Sequence, residues 1–243
     1  MSSSAFGFGL HSSILPENWR ELKAFGIWKT EGIPEKCAPL PRRRFAGDFI
    51  DPRLAQLAPG ENFRLRMDFL RMLEQSLRRA AAVRMEAVTV SCDWERLEND
   101  PRYRENWLAQ MRFAAGILHG SSLKMGLRFR FSGRDDAPGY AAILGILREI
   151  PTRSILLALE VHPHESAALP DEKKLLAFCR EALLLEYAYE PVIGNQLTQK
   201  LIAPGIQAAS AAKIPFFFHP RRAEGELLAA EAQALQMLLP ETE

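Results

Sequence analysis

Short apolar runs typical of β-strands alternate with stretches of helical periodicity, and this alternation constrains the fold more than any other feature of the chain. The strand candidates cover residues 6–10, 25–31, 87–92, 124–131, 154–161, 183–188 and 214–218. The clearest helix lies between the second and third of them, where Phe69, Leu73 and Leu77 recur every four residues. Alternating strands and helices predict right-handed crossovers and therefore a parallel α/β sheet.

Seven strand candidates in 243 residues favour a closed (β/α)8 TIM barrel over an open doubly wound sheet. The missing strand should lie between residues 32 and 62, a stretch that is rich in proline and arginine and shows no clean period. Two alternatives are open: this stretch contains an irregular third strand inside a long active-site loop, or the barrel is incomplete. No internal repeat or low-complexity linker divides the sequence, so we expect one TIM-barrel domain over residues 1–243.

The balance of charge argues against several classes of partner. Lys and Arg number 31 against 30 Asp and Glu, and the resulting net charge of +1 gives no global attraction for nucleic acid or an acidic membrane. No apolar run approaches the roughly 20 residues of a membrane span. The N-terminal residues lack the basic and apolar regions of a signal peptide, and three widely spaced cysteines argue against a disulfide framework. We therefore expect a cytoplasmic protein.

Ionisable residues directly follow several of the strand candidates, and their position predicts where the functional site lies. Four of the five histidines come just past a strand candidate. In a barrel of parallel strands the carboxyl ends of all strands meet on one face, and that face holds the active site. The side chains that this rule brings together are His11, Asp93, Glu160, His162, Glu186 and His219.

Glu160, His162 and His164 alternate along an extended segment, so all three should point to one face of their strand. A carboxylate and two imidazoles are suitable ligands for a divalent metal, which could be Mn, Co, Zn or Mg. They are equally suited to proton transfer next to a carbonyl. The alternative is that Pro163 breaks the strand and leaves the histidines as solvated loop residues.

Arg128 and Arg130 alternate with apolar residues, which indicates that one face of their strand is charged. A buried charge without a partner is costly, so both arginines need opposite charges nearby. They either bind an anionic substrate or form an ion-pair network with carboxylates such as Glu160 and Glu186.

The remaining candidates come from the other strand ends. Arg221 and Arg222 could clamp a phosphate or carboxylate of the substrate, unless they are a surface pair before the last helix. Asp93 is either a base beside Trp94, which would be a platform for a sugar ring, or the N-cap of the following turn. His11 should line the barrel mouth from the first strand.

Three stretches give the chain a resemblance to a known family. Residues 19–31 (WRELKAFGIWKTE) resemble the first helix and second strand, ending in glutamate, of the xylose-isomerase-like TIM barrels. Residues 69–90 resemble that family's fourth strand with the helix before it, and residues 107–131 resemble the next helix and strand. The resemblance implies a TIM barrel, a sugar or sugar-phosphate isomerase or epimerase, and a substrate-binding role for Glu31.

The chain departs from that family's pattern at the strand ends that carry its metal ligands. Such enzymes place a glutamate at the end of strand five, where this chain has arginines. At strand six they tend to have an aspartate with a histidine three residues on, whereas here Glu160 is followed by His162 and His164. At strand eight His219 stands where a glutamate is usual. The ligand set that the resemblance implies is thus altered at each of these positions.

Together these features favour an enzyme, an isomerase or epimerase that acts on a small polyol, a keto-sugar or its phosphate. Glu160 or Glu186 would abstract the proton next to the carbonyl, and His162, His219 or a divalent cation would polarise the oxygen. Two other functions remain open. Arginine at strand five favours a barrel that has lost catalysis and binds an anionic metabolite. Glu160, His162 and His219 around an activated water would make a metal-dependent hydrolase.

Overall fold

Eight parallel strands close into a barrel in chain order, each pairing with the next and the last with the first. A computed structural model describes residues 8–11, 25–30, 43–48, 63–131, 140–150, 152–162, 171–189 and 196–220. The strands are β1 (Phe8–His11), β2 (Phe25–Thr30), β3 (Arg43–Asp48), β4 (Ala87–Ser91), β5 (Lys124–Phe131), β6 (Ile155–Val161), β7 (Ala182–Tyr189) and β8 (Phe216–Pro220). The predicted fold class, an α/β (β/α)8 TIM barrel, is confirmed.

The strand that the sequence left unplaced is β3, which lies within the stretch rich in proline and arginine. It reads RRFAGD and so has neither an apolar run nor a strict alternation, the two patterns by which a strand is recognised in sequence. It pairs with β2 across a register shift between Trp28 and Lys29, and with β4 from Ala46 onward. The barrel is therefore complete, and its third strand is irregular.

Helices lie between the strands from β3 onward. Phe69, Leu73 and Leu77 are buried on one face of the first of them, as their spacing predicts. No helix in the described ranges is long and apolar enough to cross a membrane. The predicted last helix, residues 224–239, lies outside the described residues. The described helices are α1 (Phe63–Ala82), α2 (Trp94–Asn99), α3 (Pro101–Leu118), α4 (Tyr140–Arg148), α5 (Glu172–Cys179) and α6 (Gln196–Ala212).

Each strand has one face toward the helices and one toward the barrel interior, which we call the lumen. On β5 the side chains of Leu127, Phe129 and Phe131 are buried in the core between sheet and helices. Arg128 and Arg130 alternate with them and therefore point into the lumen. The barrel thus offers a charged inner surface on this strand.

Small and apolar side chains fill the lower part of the lumen. The cluster is formed by Ala46, Ala87, Ala158, Leu183, Leu184 and Phe217. Space is tight there, because a Cβ atom added to Gly126 would lie 2.8 Å from the Cβ of Ala158. The ionisable residues lie two positions further along β6, β7 and β8, toward the carboxyl ends of the strands. They consequently form a polar layer between the apolar cluster and the carboxyl-end opening of the barrel, as expected at the active-site end.

Candidate active site

Glu160 on β6 lies at the centre of the first polar cluster in the lumen. Arg128 Nη2 donates to one carboxylate oxygen, Glu160 Oε2, at 2.8 Å. The other oxygen, Oε1, lies 2.5 Å from Nε2 of His162. The predicted ion pair between an arginine of strand five and a carboxylate of strand six is therefore present, and the carboxylate joins two different donors.

The tautomer of His162 follows from its two contacts. Nη2 of Arg130 lies 3.4 Å from Nδ1 of His162. A guanidinium group can only donate, so Nδ1 is the accepting nitrogen and the ring proton is on Nε2. His162 therefore donates from Nε2 to Glu160. Its ring links the exposed Arg130 to the buried carboxylate.

The environment of Glu160 sets its acidity. Burial by itself would raise the pKa of this carboxyl group, but the hydrogen bond from His162 and the positive charge of Arg128 outweigh burial. The net result is a pKa well below the ordinary value of 4.5. Glu160 is therefore ionised under all ordinary conditions, and a carboxylate of such low pKa is a weak base.

Glu186 on β7 lies at the centre of the second cluster. Lys29 Nζ on β2 donates to Glu186 Oε2, and Nδ1 of His219 on β8 lies 2.6 Å from Glu186 Oε1. The strands β8 and β1 stand between β7 and β2, so the lysine side chain reaches across the lumen to make this contact. The side chains of Lys29 and Glu186 are only 1% and 3% exposed.

The two clusters are built alike and lie side by side. Glu160 and Glu186 are register partners on neighbouring strands. Each carboxylate contacts a cationic side chain with one oxygen and a histidine with the other. The side chain of His219 is 22% exposed, whereas that of His162 is 4% exposed. A molecule in the barrel mouth can therefore reach His219 more readily than His162 or either carboxylate.

The structure brings six of the twelve predicted site residues to one place. Those at the mouth are Arg128, Arg130, Glu160, His162, Glu186 and His219. The backbone of His11 is the register partner of Lys29, but its side chain lies outside the described residues. Four further predicted residues, Glu31, His164, Arg221 and Arg222, also lie outside them.

Asp93 has a structural role of its own. It is the N-cap of α2, where its carboxylate accepts a hydrogen bond from the Arg96 amide at 3.0 Å. The neighbouring Trp94 is buried, packs edge-on against Phe129 and donates from its indole N–H to the carbonyl oxygen of Arg128 at 2.7 Å. Trp94 therefore supports β5 from the helix side and is not a platform at the mouth. A substrate contact by Asp93 stays a prediction.

Sequence reasoning missed Lys29. The available signal was a lysine inside the strand candidate 25–31, FGIWKTE, two positions before the glutamate at its end. Such a residue is usually assigned to a solvated strand end, because lysine is almost never buried without a partner. Its partner Glu186 lies 157 residues further along the chain, and only barrel closure brings the two together.

Among the residues that the structure describes, the donor set does not fit a divalent metal. Of the predicted ligands, Glu160 and His162 bond to each other, and His164 lies outside the described residues. Both oxygens of Glu186 are directed at Lys29 and His219. Within the ranges that the structure describes, no group of three or more His, Cys, Asp or Glu side chains is arranged to hold a metal ion. Instead, a cationic side chain contacts each of the two carboxylates, Lys29 on Glu186 and Arg128 on Glu160.

Comparison with known proteins identifies the fold. No family model and no curated relative matches the sequence. A 3-keto-D-glucoside 4-epimerase from E. coli, in its apo form, is similar in structure at 13% identity with a TM-score of 0.67, covering 96% of this chain and 98% of the other. A sugar phosphate isomerase/epimerase from Parabacteroides distasonis is similar at 9% identity with a TM-score of 0.62, covering 97% and 94%. The chain has the fold of the xylose-isomerase-like TIM barrels. The resemblance noted in the sequence is thereby confirmed.

One similar structure contains a metal. The IolI protein, whose crystal structure includes a bound zinc atom, shares 9% identity with this chain at a TM-score of 0.60 and covers 96% of this chain and 95% of its own. The same fold can thus hold zinc. In this chain the carboxyl end of the barrel carries two carboxylates that are each bonded to a lysine or an arginine.

Proposed function

We propose that the protein is an isomerase or epimerase of a small sugar, keto-sugar or sugar phosphate, and that it moves a proton on a carbon next to a carbonyl. The observation that carries this proposal is the bond between His219 and Glu186 at the barrel mouth. A histidine held by a carboxylate is a common general acid and base. The names of the structurally similar sugar isomerases and epimerases agree with it.

His219 is the group that exchanges the proton with the substrate. Its exposure brings it within reach of a molecule in the mouth, whereas Glu186 lies beneath it and is almost fully buried. Glu186 therefore orients the imidazole through Nδ1 and stabilises the imidazolium that forms when His219 takes up a proton. In this proposal Glu186 acts through His219 and does not touch the substrate.

Arg128 polarises the carbonyl oxygen, and Glu160 holds Arg128 and His162 in place. The side chain of Arg128 is 32% exposed, so part of its guanidinium group faces the mouth. Guanidinium donors that are fixed before the reaction stabilise the negative charge that develops on an enolate oxygen. Glu160 is too weak a base to take the proton itself and serves as the anchor for both groups.

Further parts of the proposal concern the substrate and its surroundings. Arg130 is exposed at the mouth, and a phosphate or carboxylate of the substrate would bind there and to Arg221 and Arg222. The cysteines Cys92 and Cys179 are free thiols, which agrees with a reducing compartment, and we propose a cytoplasmic location.

The rival function is an anion-binding barrel without catalysis, which the arginines on β5 favour.

Proton exchange with solvent distinguishes these functions. The protein is incubated in D2O with a panel of keto-sugars, aldoses and their phosphates, and deuterium at the carbon next to the carbonyl is followed by NMR. We expect exchange with at least one substrate, and a loss of about 10²–10⁴-fold in His219→Asn. The control is His119→Asn, which replaces an exposed histidine at the end of α3. Binding of an anionic sugar without exchange would favour the rival function.

A further inference from the structure

We infer that the Lys29 ammonium is the resident cation of this site, and that it takes the electrostatic place that a divalent metal would otherwise fill. The inference concerns the charge balance of the lumen. It holds whichever reaction the site catalyses, and so it can be tested without a substrate.

The Lys29 side chain spans the lumen. It starts on β2, crosses the lumen and ends on Glu186 of β7, with β8 and β1 between the two strands. Both side chains are removed from solvent. A buried carboxylate needs a compensating charge, and here the chain itself provides it from the opposite wall of the barrel.

Both carboxylate oxygens of Glu186 are engaged by side chains of the protein. One oxygen accepts from Lys29 and the other faces Nδ1 of His219. A dication that approached this carboxylate would meet the ammonium at a few ångströms, where repulsion between like charges in a poorly solvated site is strong. Glu186 and His219 can therefore bind a metal only after the ammonium has left.

The neighbouring cluster repeats the arrangement. Glu160, the register partner of Glu186, has its own cation in Arg128 and a hydrogen-bonded histidine in His162. Glu160 and Glu186 are thus each balanced by a side chain that a chelator cannot remove. Removing the lysine should turn a site that repels metals into one that accepts them.

Titration with Zn²⁺ and Mn²⁺ by isothermal calorimetry tests this inference in Lys29→Ala and the wild type. Lys29→Ala deletes the ammonium and leaves Glu186 and His219 with room for an ion. We expect the variant to bind one Zn²⁺ at least about tenfold more tightly than the wild type. Adding Glu186→Gln to it should abolish that gain. Lys173→Ala, which removes an exposed lysine from α5, should behave as the wild type.

Two results would overturn the inference. The first is a wild-type protein that binds one metal ion as tightly as Lys29→Ala does. The second is a folded Lys29→Ala variant that gains no affinity. If the variant does not fold, the melting temperature of the wild type decides: no change on adding EDTA or Zn²⁺ supports the inference, and a shift with either contradicts it.

Discussion

Replacing Lys29 by methionine tests the buried ion pair most severely. Methionine has a similar length but no charge, so Glu186 is left in the lumen without the cation that it contacts. The side chains of the pair are 1% and 3% exposed, and solvent therefore cannot replace the lost charge. Breaking a buried pair by removing one partner typically costs about 3–5 kcal/mol. We expect Lys29→Met to lower the free energy of unfolding in urea by this amount.

The double variant Lys29→Met, Glu186→Gln should recover most of that loss, because both charges are then gone and the amide can still bond to His219. The pair Glu74 and Arg78 on α1 is the matched control, since its side chains are 34% and 72% exposed. Arg78→Ala should cost no more than about 0.5 kcal/mol. A cost below about 1 kcal/mol for Lys29→Met, or no recovery in the double variant, would show that the pair is not buried as described.

Two further predictions concern acid stability and the helix layer. The pKa of Glu160 is lower in the folded protein than in the unfolded chain, so acid protonates this carboxylate first in the unfolded chain. The free energy of unfolding should therefore fall as the pH drops below the ordinary pKa of 4.5. Urea titrations across this pH range should show a shallower fall in Arg128→Ala. A Cβ added at Gly205 on α6 would strike the ring of Tyr187, so Gly205→Ala should lower the free energy of unfolding by about 1–3 kcal/mol. The Tyr187 hydroxyl is buried with no hydrogen-bond partner among the described residues, so Tyr187→Phe should be neutral or stabilising in the same urea assay.

Much of the fold could be predicted because barrel strands and helices have strong periodic patterns. The alternation of Arg128 and Arg130 with apolar residues indicated a strand with one charged face, and the structure turns that face into the lumen. By contrast, β3 has no such pattern. Its backbone is held by hydrogen bonds to β2 and β4, and this support does not depend on an alternation of its own side chains. The sequence could suggest that a strand was missing there but could not locate it.

The sequence predicted which residues lie at the candidate site better than it predicted which of them contact each other. The rule that strand ends meet on one face brought Glu160, His162, Glu186 and His219 together. Which cation balances which carboxylate depends on contacts across the lumen, and no local pattern encodes them. The sequence therefore left open whether a metal ion balances these carboxylates, whereas the structure shows Lys29 in contact with Glu186 and Arg128 in contact with Glu160.

Deuterium exchange into a keto-sugar or its phosphate in the presence of EDTA tests the central claim most directly. The account predicts that exchange at the carbon next to the carbonyl continues at the same rate with the chelator, and that His219→Asn removes it. Exchange that stops with EDTA and returns on adding Mn²⁺ or Zn²⁺ would contradict the account, as would exchange that survives the loss of His219.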